Sequence, residues 1–150
     1  MTQFQENLTF KGRKEKVWAS YTQVNQWAEW DHSLVCSRLD FGDDPINFTE
    51  GATGWLQPKK GPKVKFVLTE VAPEVSFTSR SQLPLDRLPL ASLAIEHVIA
   101  QRGDQVTITH AVTFSGPLGF LFGYLIGKEI KKDLPQALLN LSGHAPSNQK

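Results

Sequence analysis

The chain has 150 residues, and sixteen Lys and Arg against fifteen Asp and Glu leave a formal net charge of +1. A chain of this length buries about 70% of its unfolded surface, enough for one core without disulfide or metal staples, and the near-neutral balance argues against the basic face used in nucleic-acid recognition. Cys36 is the single cysteine, and the N-terminus lacks a basic segment followed by an apolar run, so a reducing, cytoplasmic setting is expected.

Phe4, Leu8 and Phe10 alternate with polar neighbours and predict a half-buried opening strand, with Glu6 as the one break in the pattern. From Arg13 the period changes. Val17, Trp18, Tyr21 and Val24 recur at helical spacing, and Trp27, Ala28 and Trp30 continue after a break near Gln23, which predicts two short helices. Strands are expected over 33–41, 51–57, 63–71 and 75–83, separated by turn-forming stretches such as Gly42-Asp43-Asp44-Pro45 and Pro58-Lys59-Lys60-Gly61-Pro62. Lys59, Lys60, Lys63 and Lys65 gather around one of these hairpins, as a solvated turn or as a contact for anionic lipid. Leu83-Pro84-Leu85-Asp86-Arg87-Leu88-Pro89-Leu90 is expected to stay out of regular structure because of its two prolines, as a rim, a lid or a packed connection.

The hairpin over 92–115 carries the clearest signal. Leu93, Ile95, His97 and Ile99 share one face and are answered by Ile108, His110, Val112 and Phe114. With Gly103-Asp104 as a two-residue turn, His97 faces His110, and the whole apolar face agrees with that register. Directly opposed side chains have Cβ atoms about 5 Å apart. Three roles stand open for the pair: core histidines satisfied by Ser79, Ser81 or water, a polar hook for a ligand, or a general acid/base. Burial and mutual repulsion lower both pKa values in any of them. A zinc site lacks its third ligand, because Glu96 points to the opposite face, and no metal or cofactor is assigned.

After Gly116-Pro117 one long helix is expected. Its longest apolar run, Leu118 to Gly127, is about half of the ~20 residues that span a bilayer. A helical wheel places Gly116, Gly119, Gly123 and Gly127 on the inward side with Ile126, Ile130, Leu134, Ala137 and Leu141. The glycines imply either close approach to the sheet or space left for a ligand. Leu118, Leu121, Phe122 and Leu125 face outward, as a homodimer contact, a transient membrane contact, a gate, or a surface covered by the preceding loop. Pro135 predicts a bend.

The order of strand, two helices, six strands and helix predicts an α+β fold in which a curved antiparallel sheet of about seven strands wraps around the C-terminal helix. This order, together with Trp27-Ala28-Glu29-Trp30-Asp31, Leu68-Thr69-Glu70-Val71-Ala72-Pro73 and the segment Thr109 to Leu118, resembles the START and Bet v 1-like helix-grip superfamily, particularly its polyketide cyclase/dehydrase and lipid-transport branch. The resemblance implies one domain over residues 1–145, followed by a frayed polar tail over 146–150, and an internal pocket for a small lipid-, polyketide- or isoprenoid-like molecule. It equally admits a cyclase or dehydratase using His97 or His110, and a protein-interaction module. The residues expected to line the pocket are His97, His110, Ile95, Ile99, Ile108, Val112, Trp55, Phe66, Leu68, Phe77, Ser79, Gly119, Gly123, Ile126, Gly127 and Ile130.

Overall fold

The structure is a computed structural model that describes residues 2–85 and 88–145; the expected tail lies outside the described residues. Strand β1 (Thr2–Lys11) leads into helix α1 (Lys14–Thr22) and a 3-10 helix (Val24–Glu29), with the break at Gln23. Six strands follow: β2 (Leu34–Leu39), β3 (Thr53–Pro58), β4 (Val64–Ala72), β5 (Ser76–Leu85), β6 (Leu88–Arg102) and β7 (Gln105–Ser115). All pair antiparallel in one curved sheet of order β1-β7-β6-β5-β4-β3-β2. Helices α2 (Gly119–Leu125) and α3 (Gly127–Ser142) close the chain.

The alternation read in the last hairpin is the register observed: His97 pairs with His110, Ile99 with Ile108, Ile95 with Val112 and Leu93 with Phe114. Arg102 pairs with Gln105, so Gly103-Asp104 is the two-residue turn, and Gly103 takes a φ of 62° that favours glycine. Three expectations change. The prolines of the 83–90 segment do not keep it irregular, because β5 runs through Pro84 and β6 includes Pro89, the two residues paired across a register shift; residues 86–87 lie outside the described residues. The C-terminal helix is two helices that part at Ile126, whereas α3 continues through Pro135. Gly116 precedes the helix, exposed at a φ of 94°, where an added Cβ would meet Ala91 Cα at 3.2 Å.

The concave face of the sheet holds two apolar clusters. The larger joins Val17 and Tyr21 of α1, Trp27 and Trp30, Phe66, Leu68 and Phe77 of the sheet, and Leu138 and Leu141 of α3. The smaller joins Leu83, Ala91, Val112, Phe114 and Leu134, with Leu93, Ile95, Phe122, Ile126 and Ile130 packed against it. Hydrogen bonds tie the N-terminal helices into this frame: Trp27 Nε1 donates to the Tyr21 carbonyl at 2.9 Å and Ser37 Oγ donates to the Val24 carbonyl at 2.6 Å. At the other end of α3, His144 donates Nε2–H to Glu29 at 2.9 Å, and its Nδ1 meets Ser20 Oγ at 2.8 Å, which fastens the C-terminal segment to α1.

Close backbone approach is concentrated at a few glycines. A Cβ on Gly54 would lie 2.5 Å from the Arg38 carbonyl and 2.6 Å from the Phe66 ring. On Gly127 it would lie 3.1 Å from Phe114 and 3.3 Å from Phe4, both side chains able to shift. Gly54→Ala is therefore expected to lower unfolding stability by about 2–3 kcal/mol, and Gly127→Ala by under about 1.5 kcal/mol or not at all. Urea unfolding midpoints of the two variants, at unchanged m, check this ordering.

Candidate functional site

One row of side chains crosses the concave face of four strands. Glu6 of β1 is opposite His110 of β7, His110 is opposite His97 of β6, and His97 is opposite Phe77 of β5. The row is polar on one side and aromatic on the other, with Glu6 half-buried toward the sheet edge and both imidazoles buried. The imidazole centroids are 4.5 Å apart at 68°. His97 lies flat on Phe77, with centroids 3.9 Å apart and planes 7° from parallel.

Helix α1 closes the row from above. Tyr21, fully buried, places its Oη 2.8 Å from His110 Nε2 and its ring 5.4 Å from the His97 ring. This contact is the central hydrogen bond of the site. His97 Nδ1 meets the Phe77 carbonyl at 3.4 Å; a carbonyl only accepts, so Nδ1 carries the proton and Nε2 is left as an acceptor. Trp30 packs 6.2 Å from the His110 ring, and its buried Nε1–H finds no partner among the described residues.

Burial keeps both imidazoles and the Tyr21 phenol uncharged. The His97 pKa falls to about 3 because burial penalises the imidazolium, against weaker opposing hydrogen bonds to the Phe77 and Ile95 backbone. His110 is held well below the usual histidine range by burial first and by repulsion from His97 second. Burial pushes the Tyr21 phenol up. At neutral pH the phenol is protonated and both imidazoles are uncharged, so these three groups can donate and accept hydrogen bonds without carrying charge themselves.

The other expected lining residues divide by cluster. Ile99, Ile108, Phe66, Leu68 and Phe77 belong to the larger one. Val112 belongs to the smaller one, with Ile95, Ile126 and Ile130 packed against it. Ser79 sits on the concave face between Leu68 and Ile95. Gly119 and Gly127 bring the helices close to Phe114, and Gly123 is buried. Trp55 stands apart on the convex face, paired with Arg38 and Lys65 and covered by Lys63 Nζ 3.9 Å above its ring. The sequence reading did not select Tyr21 or Glu6. The break in the β1 alternation marks Glu6, whereas nothing local in α1 distinguishes Tyr21 from an ordinary core residue.

Two surface concavities lie away from this row. One of about 90 Å³ is lined by Asp31, His32, Ser33, Asp133, Gln136, Ala137 and Asn140, with the Asp31 carboxyl pushed above the usual range by burial. The other, about 50 Å³, is lined by residues of β1, α1 and α3 together with Gly12, Arg13 and His144. Both fall short of the roughly 300 Å³ that a drug-sized ligand occupies.

Residues 1–145 match the family described as polyketide cyclase / dehydrase and lipid transport. No curated protein matches the chain. Among solved structures, a hypothetical protein from Helicobacter pylori superposes with a TM-score of 0.78 at 12% identity, over 97% of this chain and 88% of that one. Ara h 8.0201 superposes with a TM-score of 0.66 at 11% identity, over 95% of each chain. The di-domain ARO/CYC protein BexL of the BE-7585A biosynthetic pathway gives 0.68 at 9% identity, over 94% of this chain and 45% of that one. At such identities the likeness is one of fold, the Bet v 1-like helix grip.

The buried histidines set a pH dependence of stability. Both folded pKa values lie below the unfolded value of about 6.5, so the stability they permit is fully present above pH 6.5 and is lost as pH falls below it, by about 1.4 kcal/mol per pH unit for each imidazole. Thermal unfolding between pH 7.5 and 5 is expected to show a steep loss in the native chain. The loss is expected to be shallower in His97→Gln/His110→Gln, even though that variant starts from a lower midpoint.

Proposed function

The chain belongs to the polyketide cyclase / dehydrase and lipid transport family, and on that premise we propose that it binds a small, uncharged hydrophobic molecule between the sheet and helices α2 and α3. The observation that carries this reading is the state of the smaller cluster. Ile95, Leu93, Phe122, Ile126 and Ile130 pack against it, yet each keeps partial exposure. Both clusters have wholly buried centres, Tyr21, Leu68, Phe77 and Ile108 in the larger and Val112 and Phe114 in the smaller, but the partly buried side chains of the smaller one lie where α2 and α3 cover the sheet. Apolar side chains that face a core but remain partly wet gain about 25 cal/mol for each Å² that a ligand covers. Beside them, His97 Nε2 offers an acceptor, and the Trp30 N–H is a donor in the adjoining cluster. A ligand with an apolar body and one hydroxyl or carbonyl fits this division.

The cyclase or dehydratase reading draws on the Tyr21–His110 contact of 2.8 Å, which joins a proton donor to a proton acceptor. Its weakness is quantitative. Burial holds both imidazoles well below the usual histidine range, which makes them feeble bases at neutral pH and leaves no imidazolium to act as an acid. Binding is therefore the primary function proposed.

Native mass spectrometry of the freshly purified protein, followed by solvent extraction, is expected to release an apolar molecule at one per chain. Titration with the uncharged dye N-phenyl-1-naphthylamine is expected to saturate at one site, and Ile126→Trp, which adds bulk beside the smaller cluster, is expected to weaken binding about tenfold, or 1.4 kcal/mol. A clean apo mass combined with no dye binding rejects the reading. Turnover of an enolisable ketone that is abolished in His97→Gln/His110→Gln would move the function to the enzyme.

A further inference from the structure

Two groups of large apolar side chains face solvent, and their electrostatic settings are opposite. In the β2–β3 connection Phe41 and Ile46 are 85% and 78% exposed, among the exposed carboxylates of Asp40, Asp44 and Glu50. On α2 the exposed residues are Phe120, Leu121, Tyr124 and Leu125, at 65%, 39%, 69% and 57%. This face corrects the sequence expectation: because α2 begins at Gly119, Leu118 and Phe122 are half-buried, and Phe120 and Tyr124 take their places outside.

Cations border the α2 face on its α3 side. Lys128, Lys131 and Lys132 are exposed on the first turns of α3, against Glu129 and Asp133, and Lys128 Nζ lies 5.8 Å from the Tyr124 ring centroid. The register brings in a second basic element. The chain leaves β7 for α2 at Ser115, which pairs with Ser92 of β6, which pairs with Gln82 near the end of β5. Antiparallel pairing makes the end of β5 the beginning of β4, so the β3–β4 hairpin, with exposed Lys59, Lys60 and Lys63, stands at the same end of the sheet as α2.

We propose that this end of the molecule docks on a bilayer containing anionic lipid, with α2 lying in the interface. A single apolar anchor binds membranes weakly, and stable association needs a second signal. Here the aromatic and leucine side chains of α2 supply the first, and lysines on the α3 turns and on the hairpin supply the second. Lys128 beside Tyr124 and Lys63 over Trp55 pair a ring suited to the headgroup layer with an amine on a long stem that reaches phosphate. The acidic surroundings of Phe41 and Ile46 exclude the opposite orientation. A two-fold dimer through α2 would bring the same lysine rim against its own copy, which disfavours a second chain as the occupant. This surface does not depend on what the interior binds.

The test is co-sedimentation of the full chain with vesicles of phosphatidylcholine alone or with about 30 mol% phosphatidylserine. Binding is expected to be about tenfold tighter to the mixed vesicles and to weaken as salt rises toward 1 M, where the Debye length falls to about 3 Å. Tyr124→Asp/Leu125→Asp is expected to lose about tenfold, and Lys59→Glu/Lys60→Glu/Lys63→Glu is expected to lose the salt-sensitive part, whereas Phe41→Asp/Ile46→Asp leaves binding unchanged. All these positions are exposed, and unchanged thermal midpoints of the lysine variant, which leaves α2 intact, show that a loss is not one of folding. Equal binding to both vesicle types, no binding to either, or an α2 variant that dissolves a dimer while vesicle binding persists would each overturn the proposal.

Discussion

The structure turns on the withdrawal of Tyr21, His97 and His110 from water. A single hydrogen bond between the phenol and an imidazole joins α1 to β7 across 89 positions of sequence, and Phe77 stacks beneath the neighbouring ring. The larger cluster is assembled on that contact: Trp27 holds the Tyr21 backbone, and Trp30 covers the edge of His110. A charged imidazole at this place would have to be desolvated beside a second imidazole. The fold therefore holds the pair neutral, and that neutrality shapes both the stability of the protein and the chemistry open to it.

The same constraint separates the two clusters by chemistry. Around the histidines the interior must be tightly packed, because any hydrogen bond left unmade in a dry site costs about 1–3 kcal/mol. Trp30 Nε1 is the one tryptophan nitrogen there left without a partner among the described residues. Leu134 and Val112 anchor the smaller cluster, whose buried members are all apolar. The long C-terminal helix parts at Ile126 over this cluster, with Gly119 and Gly127 seated against Phe114 on either side of the break. The fixed points are glycines and the part-exposed points are isoleucines.

Legibility in the sequence followed the number of independent signals at each place. The β6–β7 register was readable because two strands alternate in phase and Gly103-Asp104 fits only one turn length, so His97 and His110 met as expected. Gln23 was readable as a break because the helical period lapses there. Trp55 was not readable: Gly54, Trp55 and Leu56 are all apolar, and alternation cannot choose a face when both faces are apolar. Its position on the convex side follows from Gly54, which must approach the Arg38 carbonyl and so takes the inward place. The parting of α2 from α3 was hidden for a related reason, since Pro135 is the stronger breaker by composition. Yet Pro135 is exposed on α3, where water can satisfy the carbonyl it leaves unpaired. Tyr21 was legible as a core residue only, because its partner is set by tertiary packing.

The neutral histidines beside the smaller apolar cluster would impose their own selectivity on the proposed ligand. For a ligand that ends in a carboxylate to gain an ion pair at His97, the imidazole must first be protonated, and at pH 7 a pKa of about 3 makes that cost about 5 kcal/mol. The carboxylate would also be stripped of water beside a phenol and rings that supply no compensating charge. Neither a hydroxyl nor a carbonyl meets these penalties: a hydroxyl can donate to His97 Nε2, and either can accept from an N–H such as that of Trp30, with both partners uncharged. On the proposed reading the sterner discrimination would come from groups that cannot ionise, and an anionic headgroup would meet the lysines outside the sheet rather than the histidines within it.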